Sequence, residues 1–192
     1  MIVEGLLTST STDGVTNVAP MGPIVHGDFE SLTLRPFAGS TTFDNLTTTR
    51  VGVFHVVDRV QIIAAAAIRR LTEVPDTFPA RKIAGAVLSD CCRWLEFEIT
   101  DIDCSSDRSV MRAKIVHSEV QRPFFGFNRA RHAVIEAAIL ATRVHLLPRS
   151  EIATQLGYLK SSVEKTGGTE ETAAFRMLQE YMLEHWSGVA SA

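Results

Sequence analysis

The apolar residues of this chain change their period once, and that change restricts the fold more than any single motif does. Ahead of Pro123 they fall in short alternating or β-branched runs. From Asn128 onward no strand pattern survives, and Val134, Ile135, Ala138, Ile139, Thr142 and Leu146 trace one stripe at helical spacing. The reading is an α+β protein with a β-rich region over residues 1–122 and a helical C-terminal region over residues 123–192. At 192 residues the chain is long enough to bury a real core.

Within the β-rich region, Val3 to Ser9 and Val15 to Val25 flank Thr12-Asp13-Gly14, whose Asp-Gly pair marks an opening hairpin. Pro20 and Gly22 interrupt the second strand, which puts it at a bulge or an edge where main-chain groups are free to meet a ligand. Ser31 to Arg35 alternates Leu32 and Leu34 against Thr33 and Arg35, as a half-buried strand does. Val51 to Val57 is nearly all apolar and suits a central strand. Alanine-rich Val60 to Leu71 reads as a helix, and Glu73 to Pro79, with its two prolines, as a connection. Arg93 to Ile99 and Ser109 to Val116 read as strands joined by a turn over Asp103 to Asp107. Further on, Leu147-Pro148 ends a first helix, Ser150 caps a second that runs to Gly167-Gly168, and Glu170 and Glu171 open a third. Phe175, Leu178, Met182 and Trp186 share a face of that last helix.

Composition narrows the function. A net charge of −3 argues against a partner recognised through nucleic-acid phosphates, and Arg122, Arg129 and Arg131 form the only basic cluster. No apolar run is long enough to span a bilayer, since Ile62 to Ile68 is closed by Arg69 and Arg70. The N-terminus carries no basic region with an apolar signal core, so the expected location is cytoplasmic. Cys91, Cys92 and Cys104 read as reduced thiols, and no zinc-type spacing occurs, so no metal is expected.

Two segments carry the ligand-binding chemistry: Asn17-Val-Ala-Pro-Met-Gly and Leu34-Arg-Pro-Phe-Ala-Gly-Ser-Thr-Thr-Phe-Asp-Asn-Leu46. In the second, Gly39 permits positive φ, Pro36 stiffens the approach, and Ser40, Thr41 and Thr42 add hydroxyls to a run of amides, the composition that cradles a phosphate. Arg35 can complete the cradle. Thr41 to Leu46 starts a short helix, and an anion is favoured at such an N-terminus. The segment matches neither a Walker loop nor the dinucleotide fingerprint. Taken alone, the three hydroxyls also fit a solvated turn and helix cap.

Together with Gly126-Phe-Asn-Arg-Ala130, these segments are similar to the family known as domain of unknown function 447, of the FMN-binding split-barrel group. The resemblance covers the whole chain. It implies a split β-barrel followed by a helical region, FMN held non-covalently with its phosphate on the turn, and a homodimer in which two subunits share each flavin. It assigns Asn17, Ala19 and Met21 to the strand that lies against the ring and Ser40, Thr41 and Thr42 to the phosphate turn, and it counts Arg35, Phe37, Gly39, Asn45 and Arg129 among the cofactor-binding residues. The Ser-x-Lys pair common in that group lacks its lysine here, so the positive partner falls to Arg35, Arg50 or an arginine of the other subunit.

Some residues keep two readings. Phe37 is either core or ring-adjacent. Arg129, with His132, Glu136 and Arg143, lies along one side of the first C-terminal helix, which is either a solvated face or, for Arg129, a contact to phosphate or subunit partner. His55 reads as a satisfied core histidine. No Ser-His-Asp set and no carboxylate pair stands out, which weakens a hydrolase reading and leaves a flavin enzyme untouched, because hydride chemistry belongs to the cofactor. The expected function is FMN binding with flavin-dependent oxidation or reduction of an unidentified small molecule. The alternatives are an FMN or phosphorylated-ligand binder without turnover whose helical region docks a partner, and a structural interaction module.

Overall fold

The computed structural model describes residues 1–105 and 109–188 of the chain. They form two compact units, one drawn from residues 1–57 and 73–124 and one from residues 58–72 and 125–188.

The first unit opens with the expected hairpin, β1 (Gly5–Thr10) against β2 (Thr16–Met21). Gly14 has φ +82° in the connecting turn, where the Ser11 carbonyl accepts from its amide at 3.0 Å. β3 (Ile24–His26), β4 (Ser31–Leu34), helix α1 (Thr41–Thr49) and β5 (Val51–Val56) follow. The long strands expected near residues 93 and 109 are β8 (Arg93–Asp103) and β9 (Val110–Val120), both longer than their apolar alternation. The added residues, 100–103 and 117–120, are mostly polar and extend the strands by pairing across the β8–β9 ladder. Of the turn expected over Asp103 to Asp107, Ser106 and Asp107 lie outside the described residues.

The order β2-β1-β5-β8-β9-β4-β3 makes a seven-stranded sheet, antiparallel at every pairing. It curls. The residues that lead into β1 reach the opposite edge, where Ile2 bridges Ile24 and the Met1 carbonyl accepts from Val25 at 2.8 Å. One core therefore collects side chains from strands far apart in that order: Leu7, Val25, Leu32, Leu34, Phe54, Leu95, Phe97 and Met111, with Leu46 of α1 inserted among them. Burying each such side chain contributes about 1.5–3 kcal/mol. This is a split barrel.

Glu73 to Pro79 is not wholly a connection. Its end forms β6 (Thr77–Pro79), which pairs with β7 (Ala86–Leu88) in a separate two-stranded ladder. Pro79 is tolerated there because it closes a strand in a ladder that is all edge.

The second unit is helical: α2 (Val60–Ala67), α3 (Arg129–Thr142), α4 (Arg149–Thr166) and α5 (Thr169–Trp186). α2 stops short of Leu71 because the chain turns left-handed at Arg69, φ +57°. Ala64, Ala130, Ala133, Ala137, Ala138, Ala141 and Ala174 are all buried, and side chains this small let helix axes approach closely. Val134, Phe175, Leu178 and Met182 fill the core, with Trp186 packed at its margin. Leu146 is 70% exposed, because α3 ends at Thr142 before the stripe reaches it. Ser150 lies inside the first turn of α4 rather than at its cap, and the carbonyl of Pro148 accepts from Glu151 and Ile152.

Candidate functional site

The hydroxyl-rich turn is the N-terminus of α1. Ser40 is extended (φ −79°, ψ 150°) and its Oγ accepts from the Phe43 amide at 3.2 Å, an N-cap that satisfies one of the orphan donors of the first turn. Its own amide donates to the Phe37 carbonyl at 3.1 Å, and its carbonyl accepts from Asp44 at 3.0 Å. The amides of Thr41 and Thr42 are left without a hydrogen-bond partner among the described residues. Just ahead, Gly39 has φ +76°, and a Cβ there would meet nothing within 4 Å. Two free amides therefore sit at the positive end of a helix dipole beside open space. Asp44 in the first turn is exposed and supplies the one negative charge nearby on the helix.

Other predicted residues surround this turn or lie on the neighbouring hairpin. Pro36 is buried, and its carbonyl accepts from the Ser109 hydroxyl at 2.7 Å, which fixes the approach to the turn. Arg35 is exposed and makes no hydrogen bond or ion pair with a described residue. Arg50, the left-handed C-cap of α1, is at the helix's far end. Phe37 is 64% exposed, so of its two readings the core one is excluded. Asn17, Ala19 and Met21 are half-buried on β2, an outermost strand of the sheet, and share one face by alternation. Asn17 Nδ2 donates to Thr42 Oγ1 at 3.0 Å. Asn45 is 7% exposed, and its Nδ2 donates to the carbonyl and the hydroxyl of Ser9 at 3.3 and 3.2 Å.

Arg129 is in the helical unit, the exposed first residue of α3, and its side chain makes no hydrogen bond or ion pair with a described residue. His132, Glu136 and Arg143 are exposed on the same helix. Asn128 caps it, accepting from Arg131 at 3.1 Å. Arg131, by contrast, is put to structural use. It donates to Glu171 at 3.0 Å, lies 3.8 Å from Asp58, and stacks 4.2 Å over the Phe125 ring.

The groups with displaced pKa values lie elsewhere. His55 is fully buried, accepts from the Leu88 amide at Nε2 (3.1 Å) and so donates from Nδ1 to the Leu6 carbonyl (3.2 Å); burial lowers its pKa to about 4 and keeps it neutral. Burial likewise pushes the Cys91 thiol up to about 12, which makes it inert. Glu96 is a functional-looking residue that sequence reasoning passed over. Its buried carboxylate accepts from the consecutive amides of Arg81 (2.8 Å) and Lys82 (2.7 Å) and from Trp94 Nε1 (3.3 Å). Burial raises its pKa, and these hydrogen bonds more than offset that, holding it below the usual carboxylate range.

An open cleft of about 590 Å³ lies at the tip of the β1–β2 hairpin. Thr10, Thr16, Thr49, Thr77, Phe78 and Pro79 are among the residues that line it, and no ionisable side chain does. Thr8 and Thr10 share a face of β1, and the Thr8 hydroxyl reaches β7, whereas Ser9 meets α1 on the opposite face. The cleft and the α1 turn therefore use different faces of the hairpin. Among the described residues, no three His, Cys, Asp or Glu side chains are grouped to hold a metal, and no helix is long and apolar enough to cross a membrane.

Comparison with known proteins completes the description. Residues 3–122 match the N-terminal domain, and residues 128–180 the C-terminal part, of the family described as Protein of unknown function (DUF447). No curated protein matches the sequence. Among solved structures, an FMN-bound DUF447 protein of Methanosarcina mazei superposes with a TM-score of 0.80 at 22% identity, over 94% of each chain. The 2-nitrobenzoate 2-nitroreductase of Pseudomonas fluorescens gives 0.53 at 20% identity, over 62% of this chain and 64% of its own. The styrene monooxygenase flavin reductase of Pseudomonas putida gives 0.53 at 13%, over 64% of this chain and 82% of its own. These likenesses establish a shared fold, and the two matched segments, which together span most of the sequence, make this chain a member of the DUF447 family.

Proposed function

We propose that the barrel unit binds FMN non-covalently with its phosphate at the N-terminus of α1, and that the protein is a flavin-dependent oxidoreductase acting on a small molecule. The observation that carries this is the unpartnered amide pair of Thr41 and Thr42, beside an unobstructed Gly39, in a family whose Methanosarcina mazei member is FMN-bound. The residues present fit the group. Two amides and the hydroxyls of Ser40 and Thr41 supply donors, and Arg35 supplies a forked cation in place of the absent lysine. The outer edge of β2 offers main-chain groups to a ring, with Met21 as soft apolar packing. When bound, the flavin supplies hydride transfer. The chain's part is to orient it and to place donors where charge develops on its ring.

The family's flavin-reductase-like fold neighbours favour turnover. One observation favours binding alone: the buried groups with displaced pKa values, His55 and Glu96, are fully engaged in holding the barrel. The purified protein is expected to be yellow, and anaerobic addition of NADH or NADPH to bleach its flavin absorbance. A yellow protein that no nicotinamide bleaches is a carrier, and a colourless one that ignores added FMN ends the proposal. We also propose a homodimer in the cytoplasm, with the barrel of residues 1–122 as its flavin-binding part. Exposed Phe37 in one unit and exposed Phe125 and Phe127 in the other are apolar surface of the kind a second copy covers. Sedimentation of the FMN-loaded protein tests it, since a stable monomer at micromolar concentration excludes a shared site.

A further inference from the structure

The helix that carries the candidate phosphate turn is badly suited to hold its own position. Five of its nine residues are threonine, it also contains an aspartate and an asparagine, and nine residues are too few for a helix to persist unaided. Its direction has to come from outside. Leu46, fully buried in the barrel core, anchors one side of it. The N-terminal half is set by polar contacts. Thr42 and Asn45, three apart and so on one helix face, meet Asn17 and Ser9, which stand directly opposite each other in the β1–β2 ladder. A cross-strand pair is thus joined to a helix pair by three hydrogen bonds, and three of the four residues are buried: Ser9 at 1%, Thr42 at 4% and Asn45 at 7% exposure.

We infer that Ser9 and Asn45, with the Asn17–Thr42 hydrogen bond, are positioning residues for the phosphate turn. Both Asn45–Ser9 contacts use the same amide nitrogen, so they fix the rotation of α1 about its axis, and with it the direction of the Thr41 and Thr42 amides. The side chains of Thr42 and Asn45 face the hairpin and act through the helix, whereas the amide of Thr42 remains free to act on a ligand. Ser9 lies outside both ligand-binding segments of the sequence and enters only through this contact. The inference rests on the FMN reading given above.

The test compares FMN with riboflavin, which lacks the phosphate, by fluorescence titration of the full chain and of Asn45→Ala and Ser9→Ala. The expected result is a roughly tenfold loss of FMN affinity with riboflavin affinity unchanged, because the turn meets only the phosphate. Ser9→Thr, which retains the hydroxyl, is expected to keep the parent's ratio. A general loosening of the fold lowers both affinities together, and that outcome, like an unchanged ratio, overturns the inference. If Asn45→Ala does not fold, Ser9→Ala, which leaves the carbonyl contact in place, decides alone. A parent protein that binds FMN and riboflavin equally removes the phosphate-turn reading itself, which is a different result from a parent that prefers FMN while the variants keep its preference.

Discussion

The barrel unit presents two pairs of consecutive amides, and the chain treats them in opposite ways. At Arg81 and Lys82 both N–H groups donate to the buried carboxylate of Glu96, which the tip of the β6–β7 ladder closes over. Phe78 packs edge-on to Trp94 at 5.5 Å and the Arg81 guanidinium lies 6.0 Å over the same ring, so the anion is enclosed by its own loop. At Thr41 and Thr42 the amides are equally adjacent, yet no acceptor among the described residues meets them and a side chain at the glycine before them would meet nothing within 4 Å. The first pair shows what this fold does when such a site is structural: it fills it with a negative charge from within. The second is the same electrostatic device without an acceptor among the described residues, and it is where we propose that the FMN phosphate sits.

Removing the internal anion is expected to have the largest effect. Glu96→Ala leaves two loop amides and the Trp94 nitrogen without their acceptor, and hydrogen bonds to a charged group contribute about 1.5–3 kcal/mol each. A loss of about 3 kcal/mol is expected, read as a lower urea midpoint at unchanged slope, with FMN affinity of the folded protein intact. A fall in FMN affinity without loss of stability would reverse the roles of the two amide pairs.

Acid acts on the closed side in two stages. His55 has a folded pKa of about 4 against 6.5 for the free side chain, so the unfolded chain binds the extra proton first. Stability therefore falls as the pH drops from about 6.5 to 4, by up to about 3 kcal/mol, and this term falls no further below. The Glu96 contribution is present above the ordinary carboxylate pKa and is lost only as the pH falls through its own lowered value, so it follows later. His55→Gln is expected to remove the first limb of the stability profile and keep the second.

At the open pair, replacing Ser40 and Thr41 together by alanine is expected to cost FMN about 2 kcal/mol of binding, with about 1 kcal/mol of stability lost with the cap. Unchanged affinity with lowered stability would reduce the pair to a helix cap. The smallest contrasts concern the cation. Arg35→Ala is expected to weaken FMN roughly tenfold, and Arg129→Ala to change it by less than about threefold. The opposite ranking hands the phosphate to Arg129.

The open pair was legible in the sequence and the closed one was not, for a physical reason. Gly39 followed by three hydroxyls states a local conformation, and Asp13-Gly14 states a hairpin, because both depend on neighbours along the chain. His55 in a β-branched run states a buried and satisfied ring for the same reason. Glu96 alternates with Leu95 and Phe97 as any outward-facing strand residue would, and only the return of a loop from 14 residues upstream makes it buried. The β6 and β7 strands are three residues each, too short to show a period. Arg129 and Arg131 differ by two positions, which sends one to solvent and the other into the Asp58 and Glu171 contacts. Arg131 stands three and four residues ahead of Val134 and Ile135, in line with the apolar stripe, so helical spacing separates the two while the identity of the carboxylate partners does not show in it. The membership of α2 in the helical unit is hidden as well, since it is inserted between two strands of the other unit.

The phosphate reading requires the open amides of Thr41 and Thr42 to tell a flavin with a phosphate from one without. Titrating the ligand-free protein with FMN and with riboflavin under identical conditions tests it most directly. FMN is expected to bind at least roughly tenfold tighter than riboflavin, with inorganic phosphate competing against FMN alone. Equal affinity for the two flavins, or indifference to phosphate, would contradict it.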